Sequence, residues 1–186
     1  GFSATLNLAA LDGADGFKLE GAVLNDFTGS AVSSAGDFNG DGFDDLLIGA
    51  RLADPTNRGA AGQSFVVFGR ASGFGAVLDL ASIDGVNGFR IDGANVNAQS
   101  GGAVSGGGDV NGDGFDDLIV GARFAASAGG ESYVIFGFAT GLETDFGGAG
   151  DDVLIGDANA NALVGGQGDD TLRGGGGRDA LRGGAG

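Results

Sequence analysis

Two closely similar stretches, GDFNGDGFDDLLIGA at residues 36–50 and GDVNGDGFDDLIVGA at residues 108–122, decide the fold of this chain. Each joins a loop rich in Gly, Asn and Asp directly to a short apolar run of the kind that forms a β-strand. The sequence around them repeats at the same offset of 72 residues, because LNLAALDGADGFKLEG at 6–21 matches LDLASIDGVNGFRIDG at 78–93. Internal repetition of this length predicts that one supersecondary unit is built twice.

The two units run from about residue 2 to 70 and from about residue 74 to 138. In each unit, β-branched and aromatic runs are separated by Gly, Asn and Asp clusters, which predicts four strands and no helix of useful length. The predicted strands of the first unit are residues 17–20, 31–34, 45–49 and 64–68. A repeating four-stranded unit is typical of a β-propeller blade, and a two-sheet sandwich is the alternative.

From Gly147 onward the period changes to nine residues. The four successive copies are GGAGDDVLI, GDANANALV, GGQGDDTLR and GGGGRDALR. The eighth position of every copy is a leucine, at Leu154, Leu163, Leu172 and Leu181. Leucines at this regular spacing indicate a stacked apolar core and not a flexible Gly-Asp linker. The sequence therefore predicts an all-β chain with two blades over residues 1–141 and a nonapeptide segment over residues 142–186.

The composition excludes several classes of function. The chain has 43 Gly and one Pro but no Cys and no His, so it has no zinc site, thiol nucleophile, Ser-His pair or disulfide. Its net charge of -16 argues against nucleic acid and against anionic membranes as partners. We also expect no membrane insertion, because the chain contains no apolar run of about 18 residues.

The acidic residues point to calcium. Of the 25 acidic residues, all but Glu20, Glu131 and Glu143 are Asp, which favours turns over helices. Both repeated loops carry oxygen-bearing groups at positions 1, 3, 5 and 9, and Ca²⁺ prefers about six to eight hard oxygen ligands. The ligands of the first loop would be the side chains of Asp37, Asn39, Asp41 and Asp45 and the carbonyl of Phe43. Those of the second would be the side chains of Asp109, Asn111, Asp113 and Asp117 and the carbonyl of Phe115.

Other interpretations of these loops fit less well. An ordinary Asn-Gly or Asp-Gly hairpin turn needs about two such residues, fewer than each loop carries. An EF-hand loop would place a bidentate Glu at position 12, where this chain has Ile48 or Val120 within a predicted strand. We expect the aspartates at position 8, Asp44 and Asp116, to point outward.

The loop-and-strand stretches, each preceded by a Gly-Phe pair at residues 16–17 or 88–89, resemble the FG-GAP repeats of the integrin α-subunit propeller and of many bacterial surface proteins. This resemblance covers about residues 1–140. It implies propeller blades in which each calcium loop joins two adjacent strands. Propellers contain about four to eight blades, so two blades would need neighbouring blades from the parent chain or from other copies. At Arg51 and Arg123, which stand where the motif ends in Pro, we expect structural ion pairs.

The nonapeptides resemble the RTX repeats of hemolysin-type calcium-binding proteins over residues 147–186. That resemblance implies a short parallel β-roll with two nonapeptides per turn and calcium between the loops on each side. Asp152 would share one ion with Asp170, and Asn161 would share the next with Asp179. Leucines two copies apart would then stack on the same sheet.

Together these features predict a calcium-binding, non-catalytic adhesion or scaffold segment of a larger protein, secreted or on a bacterial cell surface. An accessory calcium-stabilised module of a secreted hydrolase is the alternative. A third interpretation, an enzyme that cleaves a glycosidic bond with Asp44 and Asp45, is less simple than metal binding by these carboxylates. We expect a protein or glycan ligand at residues 52–62, the loop that differs most between the two units.

Overall fold

The computed structural model describes residues 5–138, 143–157, 161–176 and 179–184, and the expected boundary between residues 141 and 142 lies outside these ranges. The all-β prediction is confirmed. The helical segments are short turns at Leu8–Ala10, Pro55–Asn57, Leu80–Ser82 and Ala125–Ala128. The strands are β1 Lys18–Glu20, β2 Thr28–Gly36, β3 Asp45–Ala50, β4 Gln63–Val67, β5 Val77–Asp79, β6 Gly88–Asp92, β7 Ser100–Gly108, β8 Asp117–Ala122, β9 Glu131–Ile135, β10 Glu143–Ala149, β11 Val153–Ile155, β12 Asn161–Gln167, β13 Thr171–Arg173 and β14 Ala180–Arg182.

The first sheet is antiparallel and has the strand order β2-β3-β4-β6. Its outer strand, β6, comes from the second sequence unit and pairs Val66 with Phe89. The corresponding strand of the first unit, β1, pairs in parallel with β5 and does not join the first sheet. The first sheet therefore contains strands from both sequence units, because its outer strand, β6, belongs to the second unit.

The second sheet has the order β7-β8-β9 and repeats the first three strands of the first sheet. Its pairing of Val104 with Val120 corresponds to that of Val32 with Ile48, including the same irregularities near both ends of the first strand. In the described ranges no fourth strand pairs with β9. The first sheet thus has four strands as predicted, but its fourth strand is β6 and not the predicted strand at residues 17–20, and the second sheet has three strands within the described ranges.

The main core lies between the two sheets. Side chains from alternate positions of the first sheet, including Leu47 and Val66, pack with Leu118 of the second, and all three are fully buried. The intervening positions, such as Ile48 and Phe65, form a second core on the opposite face of the first sheet. This is the alternation expected when both faces of a strand are covered.

The nonapeptide segment forms two parallel sheets, β10-β12-β14 and β11-β13. Leu154 pairs with Leu172 and Leu163 pairs with Leu181, so the predicted stacking of leucines two copies apart is confirmed. Successive copies alternate between the two sheets, which is consistent with a β-roll of two nonapeptides per turn. In the described part of the chain, no helix is long and apolar enough to cross a membrane.

Candidate metal centres

The first loop, residues 37–45, curls through hydrogen bonds from its backbone to its own polar side chains. Asp37 Oδ2 accepts from the Gly42 amide at 2.9 Å, and Asp41 Oδ1 accepts from the Phe43 amide at 2.9 Å. Asn39 accepts from the Asp41 amide at 3.0 Å and donates through Nδ2 to Asp41 Oδ2 at 3.1 Å. Gly42 has a φ of 81°, which favours glycine and permits the tight turn. The side chains at positions 1, 3 and 5 are thereby gathered in one turn, as the sequence predicted.

The second loop, residues 109–117, has the same geometry. Asp109 Oδ2 accepts from the Gly114 amide at 2.8 Å, and Asp113 Oδ1 accepts from the Phe115 amide at 3.0 Å. Asn111 Nδ2 donates to Asp113 Oδ2 at 2.7 Å. The conformation is therefore encoded by the repeated residues themselves.

The aspartate at position 9 fastens each loop to its sheet. Asp45 is fully buried, and its Oδ2 accepts from the Phe38 amide at 3.1 Å while its Oδ1 accepts from the Gly69 amide at 2.8 Å. Asp117 makes the equivalent pair of bonds in the second loop. Because Gly69 lies just beyond β4, Asp45 links the start of one strand to the end of its neighbour.

The electrostatic environment of Asp45 is unfavourable for its charge. Burial, together with the nearby carboxylates of Asp41 and Asp37, raises the pKa of Asp45 from 3.8 to about 7, against the opposing effect of its two backbone hydrogen bonds. A cation among these three carboxylates would remove the repulsion between them and favour the ionised form of Asp45.

The two loops are neighbours, a relationship that sequence analysis missed. Asp116 Oδ2 accepts from the Asp37 amide at 2.8 Å, so the prediction that Asp116 points outward is wrong. Its counterpart Asp44 is exposed, as expected. The difference arises because the second sheet packs against the first and brings position 8 of its loop onto the first loop. A sequence repeat carries no local signal for this contact.

Arg182 also reaches the first loop, from the last strand of the roll. Its Nη2 lies 3.1 Å from Asp37 Oδ2 and donates to the Asp37 carbonyl at 3.2 Å. Its guanidinium also lies 5.8 Å from the ring centroid of Phe115. Sequence analysis did not indicate this ion pair, because the two residues are far apart along the chain.

The structure brings both predicted residue pairs of the roll together. Asp170 Oδ1 accepts from the Asp152 amide at 2.9 Å, and Asp179 Oδ1 accepts from the Asn161 amide at 3.1 Å. The glycine that begins each nonapeptide is required by these side chains, because a Cβ at Gly165 would collide with Asp170 Oδ2. The repeated spacing of the motif thus places a side-chain carboxylate or amide against the backbone of a glycine.

Three carboxylate oxygens in these regions are buried without a hydrogen-bond partner: Asp37 Oδ1, Asp152 Oδ2 and Asp170 Oδ2. A buried charged oxygen with no partner is costly, and a bound cation would satisfy it. Within the described ranges, no three acidic side chains stand together as a preformed metal cluster. The residues nevertheless fit Ca²⁺, because its hard-oxygen ligand set includes carboxylate, amide and backbone carbonyl oxygens.

Arg51 and Arg123 share a partner, and it is neutral. Arg51 Nη1 donates to Gln99 Oε1 at 3.4 Å, and Arg123 Nη2 donates to the same oxygen at 2.8 Å. Their guanidinium groups also lie over the rings of Phe27 and Phe124. The expected ion pairs are replaced by hydrogen bonds that tie the ends of the two repeated strands together.

Comparison with known families agrees with this geometry. Residues 28–67 and 100–135 match the FG-GAP repeat family, and residues 146–172 and 155–186 match the RTX calcium-binding nonapeptide repeat family. The chain carries FG-GAP repeats followed by RTX repeats. The RTX repeats are calcium-binding repeats, and both repeat types are typical of extracellular or surface proteins.

Two curated relatives are integrin α chains. Integrin alpha-4 of Xenopus laevis is 30% identical over 131 residues, which cover 70% of this chain and 12% of the integrin. Integrin alpha pat-2 of Caenorhabditis elegans is 36% identical over 104 residues, which cover 54% of this chain and 8% of that protein. The chain therefore spans a small part of the length of these relatives.

Proposed function

We propose that this chain is a calcium-stabilised adhesion or scaffold segment of a larger secreted or bacterial surface protein. The observation that carries the proposal is the group of buried carboxylate oxygens without partners at Asp37, Asp152 and Asp170. Each belongs to a motif that repeats in the chain, and each lies beside another acidic or amide side chain. Calcium would serve as a structural cross-link in a chain that has no cysteine.

In the FG-GAP part, each loop would bind one Ca²⁺. The first site would use the side chains at positions 1, 3, 5 and 9 and the carbonyl at position 7: Asp37, Asn39, Asp41, Asp45 and Phe43. The second would use Asp109, Asn111, Asp113, Asp117 and Phe115. Most of the hydrogen bonds that now hold these side chains come from backbone amides, with Asn39, Asn111 and Arg182 as side-chain donors. A carboxylate has about four lone-pair sites, so each still has lone pairs for a metal.

In the roll, Asp152 and Asp170 would share one ion, and Asn161 and Asp179 would share the next. The partnerless Oδ2 atoms of Asp152 and Asp170 support the first of these sites directly. The second site has one carboxylate fewer, so we expect it to bind calcium more weakly.

Besides calcium, this segment would bind a protein or a glycan. An open cleft of about 830 Å³ lies between residues 22–26 and the loop at residues 52–56, on the variable side of the first unit. Loops of this kind carry recognition on a rigid scaffold.

Calorimetry and thermal melting of the full chain test the calcium sites. We expect a higher melting temperature in millimolar calcium than in EDTA, and dissociation constants of about 10⁻⁴ to 10⁻³ M, as in extracellular modules. Asp41→Ala should remove one ion and Asp113→Ala another, whereas Asp44→Ala, which changes an exposed neighbour, should remove none. Equal melting curves in EDTA and calcium would refute the proposal. Magnesium should substitute poorly, because it requires a tighter octahedral site.

A further inference from the structure

Two aspartates of the first unit have no acidic counterpart in the second. Asp26 precedes β2 and Asp54 follows β3, and both line the open cleft of about 830 Å³. In the second unit, alanines hold the same two places, at Ala98 and Ala126. The aspartate pair therefore belongs to the first unit and is not a property of the repeat.

The backbone around Asp26 is the same as that around Ala98. The Leu52 amide donates to the Asp26 carbonyl at 3.2 Å, and the Phe124 amide donates to the Ala98 carbonyl at 3.2 Å. The residues on either side have left-handed φ values between 54° and 71° in both units: Asn25, Phe27, Asn97 and Gln99. Because Ala98 is buried in a small alanine core, this loop forms without a carboxylate at the position of Asp26.

The place of Asp54 is fixed by a second pair of equivalent hydrogen bonds. The Gly62 amide donates to the Ala53 carbonyl at 2.9 Å, and the Gly130 amide donates to the Ala125 carbonyl at 3.0 Å. Asp54 follows the first of these alanines along the chain, as Ala126 follows the second. The fold thus accepts alanine at both positions, so the two acids need another explanation.

The environment of Asp26 is unfavourable for its charge. Asp26 is only 8% exposed, and among the described residues its carboxylate makes no hydrogen bond or ion pair. Burial and the negative charge of Asp54 both raise the pKa of Asp26. A buried polar group without a partner costs free energy. Because Asp26 lines the cleft, a ligand bound there can supply the missing partner.

The arginines of the neighbouring segments have other partners. Arg90, on the wall of the cleft, pairs with Asp92 at 2.8 Å. Arg58 donates to the Gly93 carbonyl at 3.0 Å. In the part of the chain that the structure describes, no Lys or Arg forms an ion pair with either carboxylate of the cleft. The balancing cation must therefore come from outside the described chain.

We propose that Asp26 and Asp54 bind a hard divalent cation in this cleft. A single ammonium or guanidinium group would balance one of the two negative charges, whereas a divalent cation balances both. Side chains that carry neutral oxygen atoms line the same cleft, at Asn25, Thr56 and Gln63. Such oxygens and water complete the coordination shell of Ca²⁺ or Mg²⁺.

This site is separate from the first calcium loop. Asp45, the last ligand proposed for that loop, begins β3, whereas Asp54 follows the opposite end of the same strand. A strand of six residues is about 20 Å long, so the two sites share no ligand. The inference does not rest on the proposed calcium loops or on a protein or glycan ligand.

NMR with Mn²⁺ as the probe tests the site, because the unpaired electrons of Mn²⁺ broaden the signals of nearby amides. In the metal-free wild-type chain, small additions of Mn²⁺ should broaden the amide signals of residues 25–27 and 53–56, and excess Ca²⁺ should restore them. Asp26→Asn and Asp54→Asn should each weaken this binding by about tenfold, since each keeps the side-chain shape but removes one charge. Asp15→Asn, which changes an exposed aspartate outside the cleft, is the matched control and should bind as the wild type does.

The result also separates the cleft from the calcium loops. Asp41→Ala should leave the broadening at residues 25–27 unchanged, so failure of the loop sites and failure of the cleft site are distinguishable. No broadening at the cleft in the wild type, or equal broadening in Asp26→Asn, would overturn the inference. So would signal shifts at these amides with methylammonium but none with Mn²⁺ or Ca²⁺, which would assign the cleft to an organic cation.

Thermal melting supplies a second readout that a purely structural role of Asp26 would not give. In EDTA, Asp26→Asn should melt no lower than the wild type, because it removes an unpaired charge and no hydrogen bond. The double variant Asp26→Ala with Asp54→Ala reproduces the residues of the second unit and should also remain folded. In millimolar calcium, both variants should gain less stability than the wild type. An equal gain in all three chains, or a lower melting temperature of Asp26→Asn in EDTA, would contradict the proposal.

Discussion

Arg182 of the roll forms an ion pair with Asp37 of the first FG-GAP loop, with Nη2 3.1 Å from Oδ2. The last strand of one repeat type thus supplies a cation to an acidic loop of the other. Calcium and the guanidinium would compete for the same carboxylate, because Asp37 is the first ligand of the proposed site. The two kinds of repeat are therefore linked by charge as well as by packing.

Removing the Arg182 guanidinium should strengthen calcium binding at the first loop. We expect Arg182→Gln to raise the affinity of that site by about fivefold, since a partly exposed ion pair contributes about 1 kcal/mol. Arg173→Gln is the matched control, because Arg173 holds the same place in the preceding nonapeptide and is exposed. Calorimetry measures the calcium affinity of both variants. Equal affinities would show that Arg182 does not compete with the ion.

Asp116 should support the neighbouring loop and not only its own. Asp116→Ala removes the acceptor of the Asp37 amide and should lower the free energy of unfolding by about 1–2 kcal/mol. It should also weaken calcium binding at the first loop. Asp44→Ala, the equivalent change in the first loop, should have little effect on stability because Asp44 is exposed. Chemical denaturation of the two variants gives the comparison, and a loss of the same size in both would argue against a link between the loops.

The stability of the calcium-free chain should depend on the ionisation of Asp45. Burial raises the pKa of Asp45 to about 7, so the folded chain holds a proton that the unfolded chain releases above about pH 4. The contribution of this group to stability is complete below its unfolded pKa of 3.8 and is lost as the pH rises through about 7. Between pH 5.5 and 8 a change in melting temperature can be assigned to Asp45, because the chain has no histidine that would titrate in the same range. Melting temperatures in EDTA should fall across this range for the wild type and for Asp44→Asn, but not for Asp45→Asn.

The two repeated strands should respond differently to the same small substitution. A Cβ at Gly49 would collide with the Gly101 carbonyl of the second sheet, whereas a Cβ at Gly121 would lie 3.5 Å from Ala103 in ordinary contact. Gly49→Ala should therefore cost about 1–3 kcal/mol of unfolding free energy, and Gly121→Ala much less. Urea denaturation measures both. Similar losses would mean that glycine is needed for the strand itself and not for the approach of the neighbouring sheet.

Sequence reasoning succeeded where the determining contacts are local or periodic. The nine-residue spacing of the leucines predicted a stacked apolar core, and the resemblance to RTX repeats implied that Leu154 stacks with Leu172 two copies further on, as the structure shows. The loop conformations were likewise encoded by each loop's own aspartates. The assignment of β6 to a sheet could not be predicted in this way. The repeat is compatible with β6 as the last strand of the first sheet or as the first strand of the second, and tertiary packing determines that it pairs with β4. The contacts of Asp116 and Arg182 with Asp37 depend on how distant segments meet, which no local pattern contains.

The calcium affinity of each site in the roll should depend on whether its side chain is a carboxylate or an amide. Asn161 holds the place that Asp152 holds in the neighbouring turn, and it accepts from the Asp157 amide at 3.0 Å. Asn161→Asp adds a carboxylate beside Asp179 and should strengthen calcium binding there. Asp152→Asn makes the opposite exchange beside Asp170 and should weaken the first site. Both variants keep the side-chain shape, so packing of the leucine core is preserved.

Calcium titration of the full chain, followed by circular dichroism and calorimetry, measures this exchange. We expect Asn161→Asp to lower the calcium concentration needed to order the roll, and Asp152→Asn to raise it. Without calcium, Asn161→Asp should instead make the roll less stable than the wild type, because the added carboxylate lies close to Asp157, whose Oδ1 accepts from the side-chain Nδ2 of Asn161 at 3.4 Å. Repulsion between these two charges would destabilise the calcium-free roll until an ion is bound. If Asn161→Asp neither strengthened binding nor destabilised the calcium-free chain, the pairing of Asn161 with Asp179 across one ion would have to be abandoned.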